Sequence, residues 1–513
     1  MLAWRPILFT CVITCVAITN PGLAADNAYL NAALNSITSA DMQRHVEVLA
    51  NDTFEGREAG SRGGRAAGVY LGREFRRLGL DGGSTDGGYY QSFGAQYRNL
   101  LGVVEGSDPQ LKSEFIVVSA HYDHVGYGTY QNSYGPTGFI HNGADDNASG
   151  TAGILEVVEA IMQLENHPRR SILFALWDGE EKGLLGSKHW LAKPTIPLDQ
   201  VRLMINMDMI GRLRNDRLEV SGTRSGSGLR QLVAMHNRRT GLMLDFTWKV
   251  DDNSDHYPFF ERGIPIIMLH TGLHPQYHRP SDDANLINSE GMQRIGRLLL
   301  GFLNEAGNRR VLPGFRVAAR QETPAGAREF ERPLSPLPSR LGVRWSTNNN
   351  KQDQGVLILH VSPGSAAARA GITAGDVLTT FNGETLATGN DLRKAVFHAP
   401  KQSTVVLIRD GAEEPLEVPI ELDGTPLRLG IAWRANNGEP GSVLLTRVVP
   451  GSPASEAGLQ IRDRIYRVNG LRFTDVNQFR DLVAGEGEKL EFLVERQGRL
   501  TDIKVFLPSI PTG

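Results

Sequence analysis

At 513 residues the chain is longer than one hydrophobic core organises, and its size points to about three domains. A composition of 40% apolar and 22% charged residues with a net charge of -3 excludes a disordered chain and gives no electrostatic reason for a nucleic-acid partner. The densest basic group, Arg73, Arg76 and Arg77, lies on a helical pattern and reads as a solvated face.

In chain order, Arg5 precedes an apolar stretch over 7–18, followed by Pro21, Gly22, Ala24 and Ala25. This pattern predicts a cleavable export signal over residues 1–25, delivering the protein to a periplasmic or extracellular compartment. The stretch is short for a bilayer span and no later window is apolar enough, so no transmembrane segment is expected after cleavage. Cys11 and Cys15 both fall inside the signal, and the processed chain is expected to hold neither thiol nor disulfide.

Between 40 and 80, Val46 and Leu49, then Val69, Tyr70, Phe75 and Leu78, recur at helical spacing around a Gly-rich interruption over 55–64, which predicts two helices and a loop. Short apolar runs over 115–119, 172–177, 203–208 and 264–269 alternate with helical segments such as 153–164. Strands alternating with helices imply an α/β domain over 26–307 with a mixed, largely parallel sheet covered by helices. Residues 308–340, rich in Pro, Arg and Ala, show no sustained period and read as a linker. Beyond it, LGVRW and VSPGSAAARAGITAGDVLTTFNG are echoed by LGIAW and VVPGSPASEAGLQIRDRIYRVNG, an internal duplication that divides the rest into modules over 341–422 and 427–508.

The histidines and carboxylates of the first domain are grouped. HYDH starts at His121, GADDNASG spans 143–150, DGEEKGLLGS follows the strand ending at Trp177, NMDMIG surrounds Asp208, and YHRPSDD starts at Tyr277. Each lies at or beyond the carboxyl end of a predicted strand, the edge where open α/β sheets bind ligands. Carboxylates gathered at one edge repel one another and lose hydration, which a divalent cation compensates. A mixture of imidazole nitrogen and carboxylate oxygen suits zinc, with manganese or cobalt as alternatives, better than calcium or magnesium.

These motifs, together with EGREAGSRGG, FRRLGL and GYYQSF near the start, resemble the zinc aminopeptidase family that includes bacterial leucyl-type aminopeptidases, over about residues 40–304. The resemblance implies the phosphorylase/hydrolase-like zinc peptidase fold and two zinc ions. It makes His121, Asp146, Glu181, Asp208 and His278 the metal ligands, with Asp146 bridging both ions. Asp146 is preferred to Asp145 because the family's bridge takes the second acidic position of GADDN. Glu180 would be the general base that withdraws a proton from metal-activated water, and Asp123 would orient the His121 ring through its other nitrogen. Tyr277 resembles the family's carbonyl-polarising phenol, although a tyrosine in such a loop is as often packing. No ligand role falls to His124, Asp145, His256, His270 or His274. The family often carries a cis peptide after its bridging aspartate, here Asp146-Asn147. Few residues separate Tyr90 from His121, so a comparatively open rim is expected.

The two repeats resemble bacterial PDZ domains, with strong turn signals at Asn382-Gly383 and Asn469-Gly470. The resemblance implies capture of peptide C-termini by the loops Leu341-Gly342-Val343 and Leu429-Gly430-Ile431; the alternative is a pair of spacer domains. For the whole chain the expectation is hydrolysis of N-terminal residues, of apolar or broad preference, from peptide or protein substrates. A C-terminal-trimming peptidase, a glutaminyl cyclase-like enzyme and a catalytically degenerate PDZ scaffold are the other readings.

Overall fold

Aliphatic runs without polar alternation belong to strands covered on both faces, and they form the centre of the first domain. The computed structural model describes residues 21–94, 96–346, 355–485 and 487–508; the expected signal's apolar stretch, with Cys11 and Cys15, lies outside the described residues. No helix among the described residues is long and apolar enough to cross a membrane.

Nine strands build the first sheet: β1 (Asp81–Gly82), β2 (Tyr90–Phe93), β3 (Tyr97–Val104), β4 (Phe115–His121), β5 (Ser171–Trp177), β6 (Val201–Met207), β7 (Arg217–Ser221), β8 (Met243–Phe246) and β9 (Ile266–His270). Their order is β1-β3-β5-β4-β6-β9-β7-β8, with β2 also on β3. The central strands β5, β4, β6 and β9 are parallel, while β3 joins β5 and β7 joins β9 antiparallel. The sheet is thus mixed, and the four predicted strands are its parallel middle.

Strand alternation divides the buried residues between two cores. Ile116, Val118, Ile172, Phe174, Leu203 and Ile205 face one layer, with α1 (Pro21–Ser36), α2 (Ser39–Leu49), α3 (Arg62–Leu78), α4 (Gly150–Met162), α6 (Leu229–His236) and α8 (Ser289–Asn308). Val117, Leu173, Ala175, Trp177 and Met204 face the other, with Trp190 of α5 (Leu185–Ala192) and Phe259 of α7 (His256–Glu261). Helix starts follow the capping rule: Thr38, Ser61 and Asn288 accept from Asp41, Gly64 and Gly291 amides ahead of α2, α3 and α8.

Residues 309–340 contain a 3-10 turn over Val317–Gln321 and a short α-helix, α9 (Pro324–Phe330), capped by Thr323, and lie against the first domain. Phe315 meets Phe260 edge-on at 5.4 Å, and Phe330 lies 5.7 Å from Trp248, whose ring also carries the Arg224 guanidinium at 3.7 Å.

Two β-rich modules follow. The first orders β10 (Val343–Trp345), β11 (Val356–Val361), β12 (Val377–Phe381), β14 (Gln402–Ile408) and β15 (Leu416–Glu421), with β13 (Glu384–Thr385) on β12 and helices α10 (Ala366–Arg369) and α11 (Gly389–His398). The second orders β16 (Ile431–Arg434), β17 (Val443–Val448), β18 (Arg464–Val468), β19 (Lys489–Arg496) and β20 (Arg499–Phe506), with α12 (Pro453–Glu456) and α13 (Val476–Ala484). Both Asn-Gly turns take positive φ at each residue, Asn382 and Asn469 at 47° and 51°, as tight hairpin connections require.

The second module is joined to the first domain by charge. Arg230 of α6 binds Glu495 at 2.6 Å and Glu439 at 3.4 Å, Arg224 binds Glu439 at 3.4 Å, and Arg464 completes the group from within the module. Burial raises the Glu439 carboxyl, but the three guanidinium groups outweigh it and bring it down to about 2. Asn237 donates to the carbonyl of Gly498 at 2.6 Å, and Arg499 pairs with Asp216 at 2.8 Å.

Candidate active site

Parallel strands deliver their ends to one edge. His121 is the last residue of β4, Glu180 and Glu181 follow β5, Asp208 follows β6, Tyr277 and His278 lie in the loop after β9, and Asp146 precedes α4. Across this edge Nε2 of His121 lies 3.3 Å from Asp146 Oδ1 and 3.4 Å from Asp208 Oδ1. On the other side of Asp146, Nε2 of His278 lies 3.0 Å from Oδ2 and 3.2 Å from Glu181 Oε2. The structure therefore brings His121, Asp146, Glu181, Asp208 and His278 together, with one oxygen of Asp146 toward each histidine.

Both rings are oriented from behind. His278 Nδ1 lies 2.8 Å from the Asn132 carbonyl and His121 Nδ1 3.2 Å from the Asp123 carbonyl. A carbonyl only accepts, so each Nδ1 carries the proton and each Nε2 is a free donor atom for a metal. The Asp123 carboxylate is farther from that ring, at 3.8 Å. Its oxygens instead accept from the amides of Glu180 (3.1 Å) and Glu181 (3.4 Å), so it holds the loop bearing those two carboxylates rather than the imidazole. Asp282 does the same for Asp146, accepting from the Asp145 amide at 2.9 Å and the Asp146 amide at 3.1 Å. The Asp146-Asn147 peptide is cis.

The donor set fits zinc. Bonds of about 2.0–2.1 Å in tetrahedral array leave ligand atoms about 3.3 Å apart, close to the spacings around Asp146. Asp208 Oδ1 and His278 Nε2 are buried without a hydrogen-bond partner. The ligand atoms of His121, Glu180 and Asp208 form one group within 4.8 Å of each other, and those of His124, Asp146, Glu181 and His278 another. The pocket also seeks positive charge: burial disfavours the His278 imidazolium, yet Asp146 and Glu181 hold its pKa up at about 11. His121 behaves likewise, burial being outweighed by Glu180, Asp208 and Asp146. Burial raises the Glu180 carboxyl well above the usual carboxylate range; His121 opposes this, and Glu181, Asp255 and Asp208 add to it.

Residues without an expected role also take part. His124, conspicuous in sequence only by its nearness to His121, is fully buried, with Nδ1 2.8 Å from Glu181 Oε1. Arg57, within the EGREAG motif, donates beneath the site to the carbonyls of Leu49, Tyr122, Asn142 and Gly143. His274 approaches Asp145 at 3.2 Å, and His256 faces the Asp251 carbonyl at 3.0 Å. The ring of Tyr277 stacks on His278 at 4.0 Å and lines a cavity of about 580 Å³ beside the cluster.

In the repeats, Gly342 and Gly430 hold φ of 80° and 82°, and a Cβ there would stand 2.2 and 2.3 Å from the Cβ of Ser365 and Ser452. Glycine is the only residue that satisfies both the conformation and the space. Leu341, Val343 and Leu429 are buried beside these glycines and Ile431 is half-buried. An apolar cavity of about 500 Å³ opens at the first loop, between Leu341, Val343 and Trp345 and the α11 residues Leu392 and Val396.

Residues 99–303 match the family model Peptidase family M28, and residues 339–420 and 444–496 each match a PDZ domain model. The chain is 26% identical over 316 residues to a probable leucine aminopeptidase 1 of Trichophyton verrucosum, covering 58% of this chain and 82% of that protein. It is 27% identical over 221 residues to aminopeptidase YwaD of Bacillus subtilis, covering 41% and 44%. The solved structure of BSAP, a zinc aminopeptidase from Bacillus subtilis, aligns with 53% of this chain and 95% of that one at 18% identity and a TM-score of 0.43. Joined in one chain, then, are a region that matches peptidase family M28 and, behind it, two regions that match PDZ domains.

Proposed function

We propose that the chain is an exported dizinc aminopeptidase that removes N-terminal residues from peptides. The reading is carried by Asp146, whose two oxygens lie against different histidine and carboxylate pairs, His121 with Asp208 and His278 with Glu181. Those five side chains would hold the two ions. The zinc ions would supply Lewis acidity, making a water acidic near neutral pH and polarising the scissile carbonyl. Glu180 is the general base: it belongs to the same group as His121 and Asp208 and is held by the Asp123 carboxylate through its amide. It takes the proton of the attacking water and returns it to the departing amine. His124 fixes Glu181 through its 2.8 Å contact, and Tyr277 faces the substrate cavity. The N-terminal preference is supported by the relatives, which bear the names leucine aminopeptidase and aminopeptidase.

In this reading residues 1–25 are the signal, 26–307 the peptidase domain, 308–340 the connection, and 341–422 and 427–508 the PDZ domains. The apolar stretch over 7–18 with small residues behind it supports export. Peptide C-termini are the ligands proposed for the Leu341-Gly342-Val343 and Leu429-Gly430-Ile431 loops, with the apolar cavity beside the first in support.

The test pairs metal analysis with hydrolysis. The purified chain is expected to bind two zinc equivalents and to cleave peptides with a free but not a blocked N-terminus, losing activity to a chelator. Glu180→Gln should keep both ions and lose about a thousandfold or more in kcat, whereas Asp146→Asn should lose metal as well. A single zinc per chain, or unchanged hydrolysis by Glu180→Gln, would defeat the dizinc or the general-base assignment respectively.

A further inference from the structure

The walls of the catalytic cavity differ in chemistry. One side is the histidine and carboxylate cluster; the floor lies where β7 and β9 pair antiparallel, Glu219 opposite His270 and Ser221 opposite Met268. Alternation turns these four side chains toward the cavity, while the intervening pair, Val220 and Leu269, is buried in the core. The loop after β8 adds Asp251 and Asn253. No lysine or arginine is among the described residues that line this space. The cations that meet its acids come from outside: Arg217, half exposed, reaches Glu219 at 3.2 Å but is bound chiefly to Asp245, and the exposed Lys249 pairs with Asp251.

We infer that the cavity selects peptides whose first residue is basic, arginine or lysine, with Glu219 and Asp251 as specificity-determining residues. The inference rests on the proposed aminopeptidase activity and departs from the apolar or broad preference that the sequence suggests. An aliphatic side chain on this floor would take water from a carboxylate and return no partner, an unfavourable exchange. A guanidinium or ammonium group is received by the carboxylates, with Ser221 and Asn253 left to accept its remaining hydrogens. Met268 and the rings of Tyr134 and Tyr277, which also line the cavity, supply apolar surface for the methylene stem of such a side chain.

Initial rates of the zinc-loaded full chain on tripeptides that differ only in the first residue test this. Arginine and lysine peptides are expected to exceed the leucine peptide about tenfold in kcat/KM, with the glutamate peptide lowest, and Glu219→Gln should shrink the arginine-to-leucine ratio about fivefold, mainly through KM. An arginine-to-leucine ratio at or below unity, or one indifferent to Glu219→Gln, overturns the inference. Failure to release the first residue from any peptide would refute the aminopeptidase reading by itself. The cavity is then judged by calorimetric titration of free arginine and free leucine into the same protein: arginine binding weakened by Glu219→Gln supports the inference, and equal binding of the two amino acids overturns it.

Discussion

Arg57 is fully buried, and its guanidinium joins three stretches of backbone beneath the candidate site through four carbonyls: Nε to Tyr122 O at 2.9 Å, Nη1 to Leu49 O at 2.7 Å and Asn142 O at 2.6 Å, Nη2 to Gly143 O at 2.8 Å. Burial lowers its pKa to about 10, with Asp146, Asp123, Asp282 and Glu181 opposing, so it remains charged at neutral pH. Replacing it with methionine keeps the apolar stem and deletes all four hydrogen bonds. At about 1 kcal/mol net for each bond, and with nearby carboxylates deprived of a countercharge, the expected loss is about 4 kcal/mol. In a domain of this size that corresponds to a fall in Tm of roughly 10 °C. Because the tethered loops carry His121 and Asp146, zinc should also bind more weakly in competition with a chelator. Arg57→Lys should fall between, since one ammonium cannot reach all four carbonyls. A methionine variant whose melting temperature stays within about 2 °C of the parent and whose zinc affinity is unchanged would refute this account.

Glu156 lies buried in α4 with one oxygen accepting from the Thr38 amide, and burial pushes its carboxyl up to about 7 against that hydrogen bond. A raised carboxyl pKa favours the fold while protonated: the contribution is intact below about 4.5, the unfolded value, and is lost as pH rises through about 7, amounting to about 3 kcal/mol. Glu156→Gln should therefore raise Tm at pH 8 and change it little at pH 5; equal shifts at both pH values would contradict the assignment. In the second PDZ domain, Gly430→Ala forces a side chain into a positive-φ position and into Ser452, whereas Gly458→Ala, at φ of 86° with no atom within 4 Å, meets conformational strain alone. Calorimetry should find the first costing about 3 kcal/mol and the second about 1 kcal/mol; equal costs would show that the contact with Ser452 is relieved without penalty.

What the sequence disclosed follows from burial. β4, β5, β6 and β9 lie in the parallel middle of the sheet, so their apolar runs are continuous and easily read. β7 and the edge strand β8 are short and partly exposed, and their run of mixed residues resembles loop; with them the floor of the cavity, Glu219 and Ser221 included, was hidden. The nominated metal ligands stood out because they sit in motifs at strand ends. Arg57, Asp282 and His124 act on those residues through backbone or through one carboxylate, relations that depend on folding and leave no spacing in the chain. Asp123 shows the same difficulty: its place two residues from His121 suggests the ring as partner, but the turn directs its carboxylate to the amides of Glu180 and Glu181. In the repeats the opposite holds, since the Asn-Gly turns and the Leu-Gly loops are local, and composition alone announces them.

The buried ring of Arg224, Arg230, Arg464, Glu439 and Glu495 means that the second PDZ domain does not search space on a leash. Whatever it offers to a visiting polypeptide is presented at one fixed distance and angle from the catalytic edge, a ruler rather than a distribution set by tether length. A single cut between the two domains would open the backbone and still leave the module seated, because separation has to expose the apolar contact of Ala234 with Tyr466 and Leu493 and break the Arg224, Arg230 and Asn237 contacts at the same time.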